Sequence, residues 1–268
     1  MSDHAKIFRQ LHHQVEPLIL ANAWDAGSAR LIESLGAKAI ATTSAGVGWA
    51  LGYPDGDVLP VARLAELAAA IVRLIGVPLT VDCEAGYSED PAQVADNIIM
   101  VLDAGAVGIN IEDGASPPAL LAAKIEKIKA AAAVRGIDVF VNARTDVYLK
   151  GLVAEERRVA ETLRRAETYK SAGADGLFVP GLIAPDGIAA VAAAAGLPLN
   201  LLAWPGLAPA ADLAALGVRR LSAGSGVAQK LWYQAASLAR AFLASGRSEP
   251  FAEHAMAFSD LQHLFVHR

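Results

Sequence analysis

The chain has 268 residues, 54% of them hydrophobic and 19% charged, with Lys+Arg 23 against Asp+Glu 28 and a formal net charge of −5. A chain this apolar offsets the entropy lost on ordering, which excludes disorder as the main state, and its length fits one large domain or two small ones. Mild acidity, with no block of like charges, excludes the basic surface that nucleic acid needs.

A single cysteine, Cys83, rules out an internal disulfide. The N-terminal Met-Ser-Asp-His-Ala-Lys leads into no signal-type apolar run, and no apolar stretch is long enough to span a bilayer. The expectation is a cytoplasmic protein with neither membrane nor nucleic acid as a partner.

In chain order, residues before about 17 read as a short helix closing one end of the fold. From residue 18 to 245, β-rich runs alternate with Ala/Leu-rich amphipathic segments. The strands begin near Leu18, Ala39, Leu79, Ala106, Val139, Gly176, Leu199 and Arg219. Helical spacing marks Ala26 to Leu35, Val61 to Leu74, Pro91 to Leu102 and Ala154 to Ala172. Gly76-Val77-Pro78, Ala104-Gly105, Ala172-Gly173 and Gly196-Leu197-Pro198 mark returns from helix to strand.

Eight such units of roughly 28 residues predict a (β/α)8 TIM barrel, a fold of about 250 residues. An open doubly wound sheet needs fewer strands and a Gly-rich turn after the first, which Asn22-Ala23-Trp24-Asp25-Ala26-Gly27 is not. No linker divides the chain. The expectation is one domain over 1–268, with the barrel at 17–245 and a C-terminal helical arm at 246–268. In that arm Phe251, Met256, Phe258, Leu261 and Leu264 form an apolar face expected to pack on another subunit, its own barrel being the alternative.

Side chains on a barrel strand alternate between the interior and the helix layer. Leu79, Val81 and Cys83 share one parity and Thr80, Asp82 and Glu84 the other. The next strand sets Val107, Ile109 and Ile111 against Gly108, Asn110 and Glu112, and the fifth sets Val139, Val141 and Ala143 against Asn142 and Arg144. Apolar residues then face the helices while polar ones converge inside, where unpartnered charge is costly.

Asp82, Glu84, Glu112, Asp113, Arg144 and Asp146 fall at the C-terminal strand ends, the catalytic face of such barrels. Crowded carboxylates call for a cation, and an all-oxygen set at Asp82, Glu84 and Glu112 suits Mg²⁺, or Mn²⁺. The bland reading is that these acids cap the next helices. All six histidines (His4, His12, His13, His254, His263 and His267) lie near the termini, which disfavours zinc and Ser-His-Asp chemistry. Lys150 follows the fifth strand, too late for an inward Schiff-base lysine. Arg144 offers a fork for a carboxylate or phosphate, or an ion pair with Glu84, Glu112 or Asp146 alone.

Thr42-Thr43-Ser44-Ala45-Gly46 offers backbone N–H groups to an oxyanion and leads to a turn-rich loop with Asp55 and Asp57. Gly224-Ser225-Gly226 opens the last long helix, where barrels of this kind often bind phosphate. Asp25 reads as a helix N-cap and Cys83 as a small core hydrophobe.

Four motifs, in order, carry a resemblance. They are Gly52-Tyr53-Pro54-Asp55 after the Thr-Ser-Ala-Gly strand end, Val81-Asp82-Cys83-Glu84-Ala85-Gly86-Tyr87, Ile111-Glu112-Asp113, and Asn142-Ala143-Arg144-Thr145-Asp146. Over nearly its whole length the chain resembles the isocitrate lyase/phosphoenolpyruvate mutase superfamily. The resemblance implies a (β/α)8 barrel whose last helix is often exchanged within a homodimer or homotetramer. It also implies Mg²⁺ held partly through water and chelated by a small 2-oxo acid. By position Asp82, Glu84 and Glu112 correspond to the metal shell, Asp55 to the acid beside metal and substrate, Arg144 to the carboxylate contact, and Thr43, Ser44 and Ala45 to the oxyanion cradle. Asp55 and Arg144 are thus the catalytic candidates, and Asn200 joins the candidate substrate contacts.

Two departures shape the expected activity. Glu84 stands where many members have Asp. The gating segment Glu112-Asp113-Gly114-Ala115-Ser116-Pro117-Pro118-Ala119-Leu120 lacks the Cys and His of the isocitrate and methylisocitrate lyases, and the Lys and Asn of the mutases. The expectation is an Mg²⁺-dependent lyase cleaving a C–C bond next to the carbonyl of a small 2-oxo or 2-hydroxy dicarboxylate through a stabilised enolate, as an oxaloacetate decarboxylase does. The alternatives are C–P chemistry of the phosphonopyruvate hydrolase or phosphoenolpyruvate mutase type, and a non-catalytic 2-oxo acid binder.

Overall fold

The computed structural model describes residues 3–266, so His267 lies outside the described residues. Eight strands form one parallel sheet: β1 (Leu18–Leu20), β2 (Ile40–Ala41), β3 (Leu79–Asp82), β4 (Gly108–Glu112), β5 (Phe140–Arg144), β6 (Gly176–Phe178), β7 (Leu199–Leu202) and β8 (Val218–Ser222). The sheet runs from β2 through β3 to β8 and then β1. It closes between β1 and β2 through a parallel bridge from Ala23 to Thr42, where the Ala23 N–H donates to the Ala41 carbonyl at 2.8 Å. The architecture is the (β/α)8 barrel that the strand count predicts.

The expected inside–outside alternation holds within the strands, though not past the end of β3 at Glu84. Val81, Ile109, Val141, Leu177 and Leu201 are fully buried between the sheet and the helices. Register then stacks the inward residues: Asp82 lies opposite Asn110, Asn110 opposite Asn142, and Glu112 opposite Arg144.

The leading helix α1 (Asp3–Leu11) plugs the bottom of the barrel. Its Phe8 is fully buried with Leu18, Leu20, Ala39, Ala41 and Phe140. Gly108 makes room for it, since a Cβ there would lie 2.7 Å from the Phe8 ring. Arg9 fastens the plug to Asp138 at 2.5 Å and Asp175 at 2.7 Å.

The surrounding helices are α2 (Ala26–Ser34), α3 (Ser44–Leu51), α4 (Val61–Val72), α5 (Pro91–Asp103), α6 (Pro118–Val134), α7 (Arg158–Ser171), α8 (Pro185–Ala194) and α9 (Ala210–Ala215). Asp25 caps α2 through a reciprocal box with Ser28, as expected, and Asp90 with Pro91 starts α5. Two details differ from the sequence reading. A 3-10 turn at Glu155–Arg157 precedes α7, and α3 occupies what reads as loop because its two internal glycines depress helix propensity.

The helix that follows β8, α10 (Gly226–Ser245), does not lie over its own barrel. Only Ala228 among its twenty residues is buried, and Leu231, Trp232, Tyr233, Leu238, Phe242 and Leu243 are exposed. Correspondingly Ile19, on the outer face of β1, is 58% exposed. The chain ends in α11 (Phe258–Val266), which returns to α2, with Arg30 Nε donating to the Leu264 carbonyl at 2.8 Å. No helix among the described residues is long and apolar enough to cross a membrane.

Candidate active site

A cavity of about 110 Å³ opens at the C-terminal ends of the strands. Thr43, Ser44, Ala45, Asp55, Asp82 and Arg144 all line it, so the structure brings together most of the residues singled out from sequence. Asn22, Asn110, Phe178 and Ser222 also line it and went unremarked as site residues. The signal for Asn110 was present: it shares the inward parity of Glu112. Gly224 and Ser225 border the cavity too, and the Gly224 N–H donates to Asn22 Oδ1 at 2.9 Å.

Asp82 ends β3 and is pinned from β2. Its N–H donates to Thr42 Oγ1 at 2.9 Å, and its Oδ2 accepts the Ser44 N–H, at the start of α3, at 3.1 Å. Burial raises its pKa, opposed mainly by the Arg144 charge.

Arg144 ends β5 and is set by two acids. Its Nη1 lies 2.6 Å from Glu112 Oε2, while Nε and Nη2 reach the two oxygens of fully buried Asp146 at 2.7 and 3.2 Å. Burial works against the guanidinium charge, but Glu112 and Asp146 outweigh it and raise the pKa. The Phe178 ring lies 5.8 Å away. Arg144 is therefore both ion-paired and cavity-lining. Glu112 is pushed up to about 8, by burial first, with Arg144 opposing.

Three sequence candidates take other places. Glu84 sits just past β3 at φ 49°, and its carboxylate accepts the N–H groups of Gly56, at 2.7 Å, and of Asp57. Asp57 reciprocates, its Oδ1 accepting from Ala85 and Tyr87 at 3.1 and 3.0 Å. The pair clasps the loop that carries Asp55 to the end of β3. Asn200 is buried beneath the cavity, its Oδ1 accepting from Ser222 Oγ at 3.2 Å. Asp113 points away from the cavity into the helix layer, accepting from Arg165, Tyr169 and the Asp146 N–H.

Cys83 is fully buried, as its parity requires. The gating segment turns through Gly114 at φ 54° into α6 and lines no part of the cavity. Lys150 stands over it, its Nζ 3.2 Å from where a Gly114 Cβ would sit and 3.5 Å from Asp146.

Among the described residues no three His, Cys, Asp or Glu side chains converge on one point as a metal cage. The donor set nonetheless fits a hard cation. Asp82 and Asp55 line the cavity, Glu112 is close to Asp82, every donor is oxygen, and Arg144, already shared between Glu112 and Asp146, is the one cation in the cavity lining. Few protein ligands and several waters is the habit of Mg²⁺.

The phosphoenolpyruvate phosphomutase family model matches residues 8–243. The chain belongs to this family. It is thereby an enzyme of the isocitrate lyase/phosphoenolpyruvate mutase superfamily. A Mycobacterium tuberculosis protein without an assigned activity is 42% identical over 254 residues, covering 92% of this chain and 93% of its own. A solved structure from Burkholderia cenocepacia, provisionally called a phosphonomutase, shares 42% identity at a TM-score of 0.84, over 89% of this chain and 100% of that one. An oxaloacetate decarboxylase of Bradyrhizobium sp. is 32% identical, over 75% of this chain and 70% of its own.

Proposed function

We propose that the protein is a divalent-cation-dependent lyase that cleaves the C–C bond next to the carbonyl of a small 2-oxo or 2-hydroxy dicarboxylate, as an oxaloacetate decarboxylase does. The observation that carries this reading is the Arg144 clamp. A guanidinium pre-set by Glu112 and Asp146 faces a cavity of about 110 Å³ shared with Asp82 and Asp55. Drug-sized ligands occupy roughly 300–1,000 Å³, so this volume selects a small acid.

Asp82 and Glu112 are the residues that would hold Mg²⁺ or Mn²⁺, with Glu84, its carboxylate engaged by the Gly56 and Asp57 amides, joining through water. The cation would draw charge from the 2-oxo group as the C–C bond breaks. Arg144 anchors a substrate carboxylate, and at the start of α3, where the Thr43 and Ser44 N–H groups already donate to the Ala23 carbonyl and to Asp82, the Ala45 N–H and the positive end of the helix are what remains to meet developing oxyanion charge. Asp55 is held at the rim by the Glu84 and Asp57 clasp, where it orients substrate and water. Loss of CO₂ requires no base for the cleavage itself, consistent with a gating segment that carries neither Cys nor His.

The test is turnover of a panel of 2-oxo and 2-hydroxy dicarboxylates, oxaloacetate included, with Mg²⁺ and after chelation, in the wild type and Asp82→Ala. Cation-dependent turnover lost in the variant supports the reading. No turnover, with oxo acid still raising the melting temperature, makes the protein a binder. A second reading, C–P chemistry, is favoured by the 42% identity to the Burkholderia protein. Phosphate release from phosphonopyruvate tests it.

The exposed apolar face of α10 and the bare Ile19 on β1 fit one another in character. The protein is accordingly proposed to assemble at least as a homodimer, with α10 of one protomer lying on the barrel of its partner.

A further inference from the structure

Beneath the catalytic strand ends lies a buried cation that the proposed chemistry does not use. Arg220, on β8, is 1% exposed inside the barrel. Its Nη2 donates to Asn110 Oδ1 at 3.2 Å, and its Nε and Nη1 have no hydrogen-bond partner. Burial lowers its pKa to about 9, with Asp82 opposing. Asn142 Nδ2 donates to the same Asn110 oxygen at 2.9 Å.

This double donation fixes the Asn110 amide. A guanidinium can only donate, so the Asn110 atom facing it is the oxygen, and both of that oxygen's acceptor sites are taken. The amide NH₂ is the half left over, and Asn110 lines the cavity between Asp82 on β3 and Asn142 on β5. It lies one step deeper in the barrel than Glu112 and Arg144.

We infer that Asn110 is a specificity-determining substrate contact, its NH₂ aimed by Arg220 and Asn142 to donate to an oxygen at the deep end of the bound acid. The ligand is then held at two points: Arg144 takes a carboxylate near the mouth, and Asn110 demands an oxygen acceptor at the floor. An acid presenting a methyl group there leaves a buried donor unpaired, which is how a polar site rejects a near-isostere. The inference rests on the 2-oxo acid reading of the site and adds its selectivity.

Asn110→Asp separates the contact from the scaffold. The two side chains match in shape, and the new carboxylate still accepts from Asn142 while giving Arg220 the counter-charge it lacks. The variant is expected to melt at or above the wild-type temperature. In place of the NH₂, however, it turns an oxygen toward the ligand.

The measurement is calorimetric binding of oxalate in saturating Mg²⁺ to the wild type, Asn110→Asp and Asn110→Ala, with Mg²⁺ affinity titrated separately. Affinity for oxalate is expected to fall about tenfold or more in Asn110→Ala, as for a lost hydrogen bond to a charged group, and further in Asn110→Asp. Wild-type affinity within twofold in both variants overturns this inference and leaves the lyase reading standing. Loss in Asn110→Asp alone also overturns it, since charge repulsion and not a missing donor is then responsible. A wild type that binds no oxalate at any Mg²⁺ concentration removes both together.

Discussion

Asp113→Ala is expected to be among the most damaging single changes in the barrel, although Asp113 touches no substrate. Its carboxylate is fully buried and accepts from Arg165 Nη1 at 2.6 Å, Tyr169 OH at 2.5 Å and the Asp146 N–H at 2.9 Å. It thus ties the end of β4 to α7 and to the segment after β5. Truncation strands a nearly buried guanidinium, and breaking a buried ion pair from one side costs about 3–5 kcal/mol. Arg165 keeps Glu161 at 2.7 Å, which argues for the low end, about 3 kcal/mol. For a domain of this size that corresponds to a melting temperature lower by about 6–12 °C. Urea unfolding followed by circular dichroism, together with calorimetry, measures both. The damage should also reach the site, because Asp146 aligns Arg144 and loses its backbone tether, so KM rises in whatever protein folds. A loss below about 1 kcal/mol would refute the account of Asp113 as a buried pillar.

Arg144→Gln removes the clamp and leaves Glu112 and buried Asp146 without their partner. Steady-state kinetics should show kcat/KM down by about 10²-fold or more, from loss of a charge-assisted contact worth roughly 3 kcal/mol. Glu84→Ala frees the Asp55 loop from its clasp, and hydrogen exchange at the Gly56 and Asp57 amides should accelerate at least tenfold while the barrel core stays protected. His12, stacked on Phe140, has its pKa lowered to about 3 by burial and by Arg220. The unfolded chain therefore takes up a proton below pH 6.5 that the folded protein refuses, so stability falls from about pH 6.5 toward 3, and His12→Leu should flatten that slope in pH-dependent unfolding. Leu231→Glu with Trp232→Glu, on the exposed face of α10, should convert an assembled wild type to a monomer of 27.8 kDa by light scattering. A wild type that is already monomeric defeats that assembly.

The parity of three strands was enough to place Asp82 and Arg144 at one cavity, because alternation across a barrel strand is enforced by geometry and the apolar parity has only the helix layer to go to. The same rule, carried one residue further, assigns Asp113 to the outer face, where α7 supplies Arg165. Its adjacency to Glu112 obscured this. Glu84 escaped the rule for another reason. A residue past the last ladder pair is free to leave the extended region, and φ 49° turns its carboxylate to the Asp55 loop. Asn110 and Asn142 sit on adjacent strands, but Arg220 on β8 lies four strands from Asn110 and three from Asn142 around the barrel. Sequence pattern gives each its parity, but only closure of the cylinder, which brings β8 across to β4, shows that they meet.

How the positive charge is distributed bears on the choice between C–C and C–P chemistry. A transferring phosphoryl group spreads charge over three equatorial oxygens, and enzymes that handle it surround it with several cations. Around this cavity Arg144 is the lining cation, and two acids already hold it. Lys150 stands at the gating segment and leans on Asp146, while Arg220 is sealed under the floor with its one bond spent on Asn110. Decarboxylation asks for much less: one carboxylate leaves as neutral CO₂, and charge gathers on a single oxygen beside the acids that suit a divalent ion. A site with one clamp, one oxyanion cradle and more carboxylates than cations matches that smaller demand, so the distribution of cations supports the proposed carbon–carbon cleavage over the chemistry that the name of the Burkholderia protein suggests.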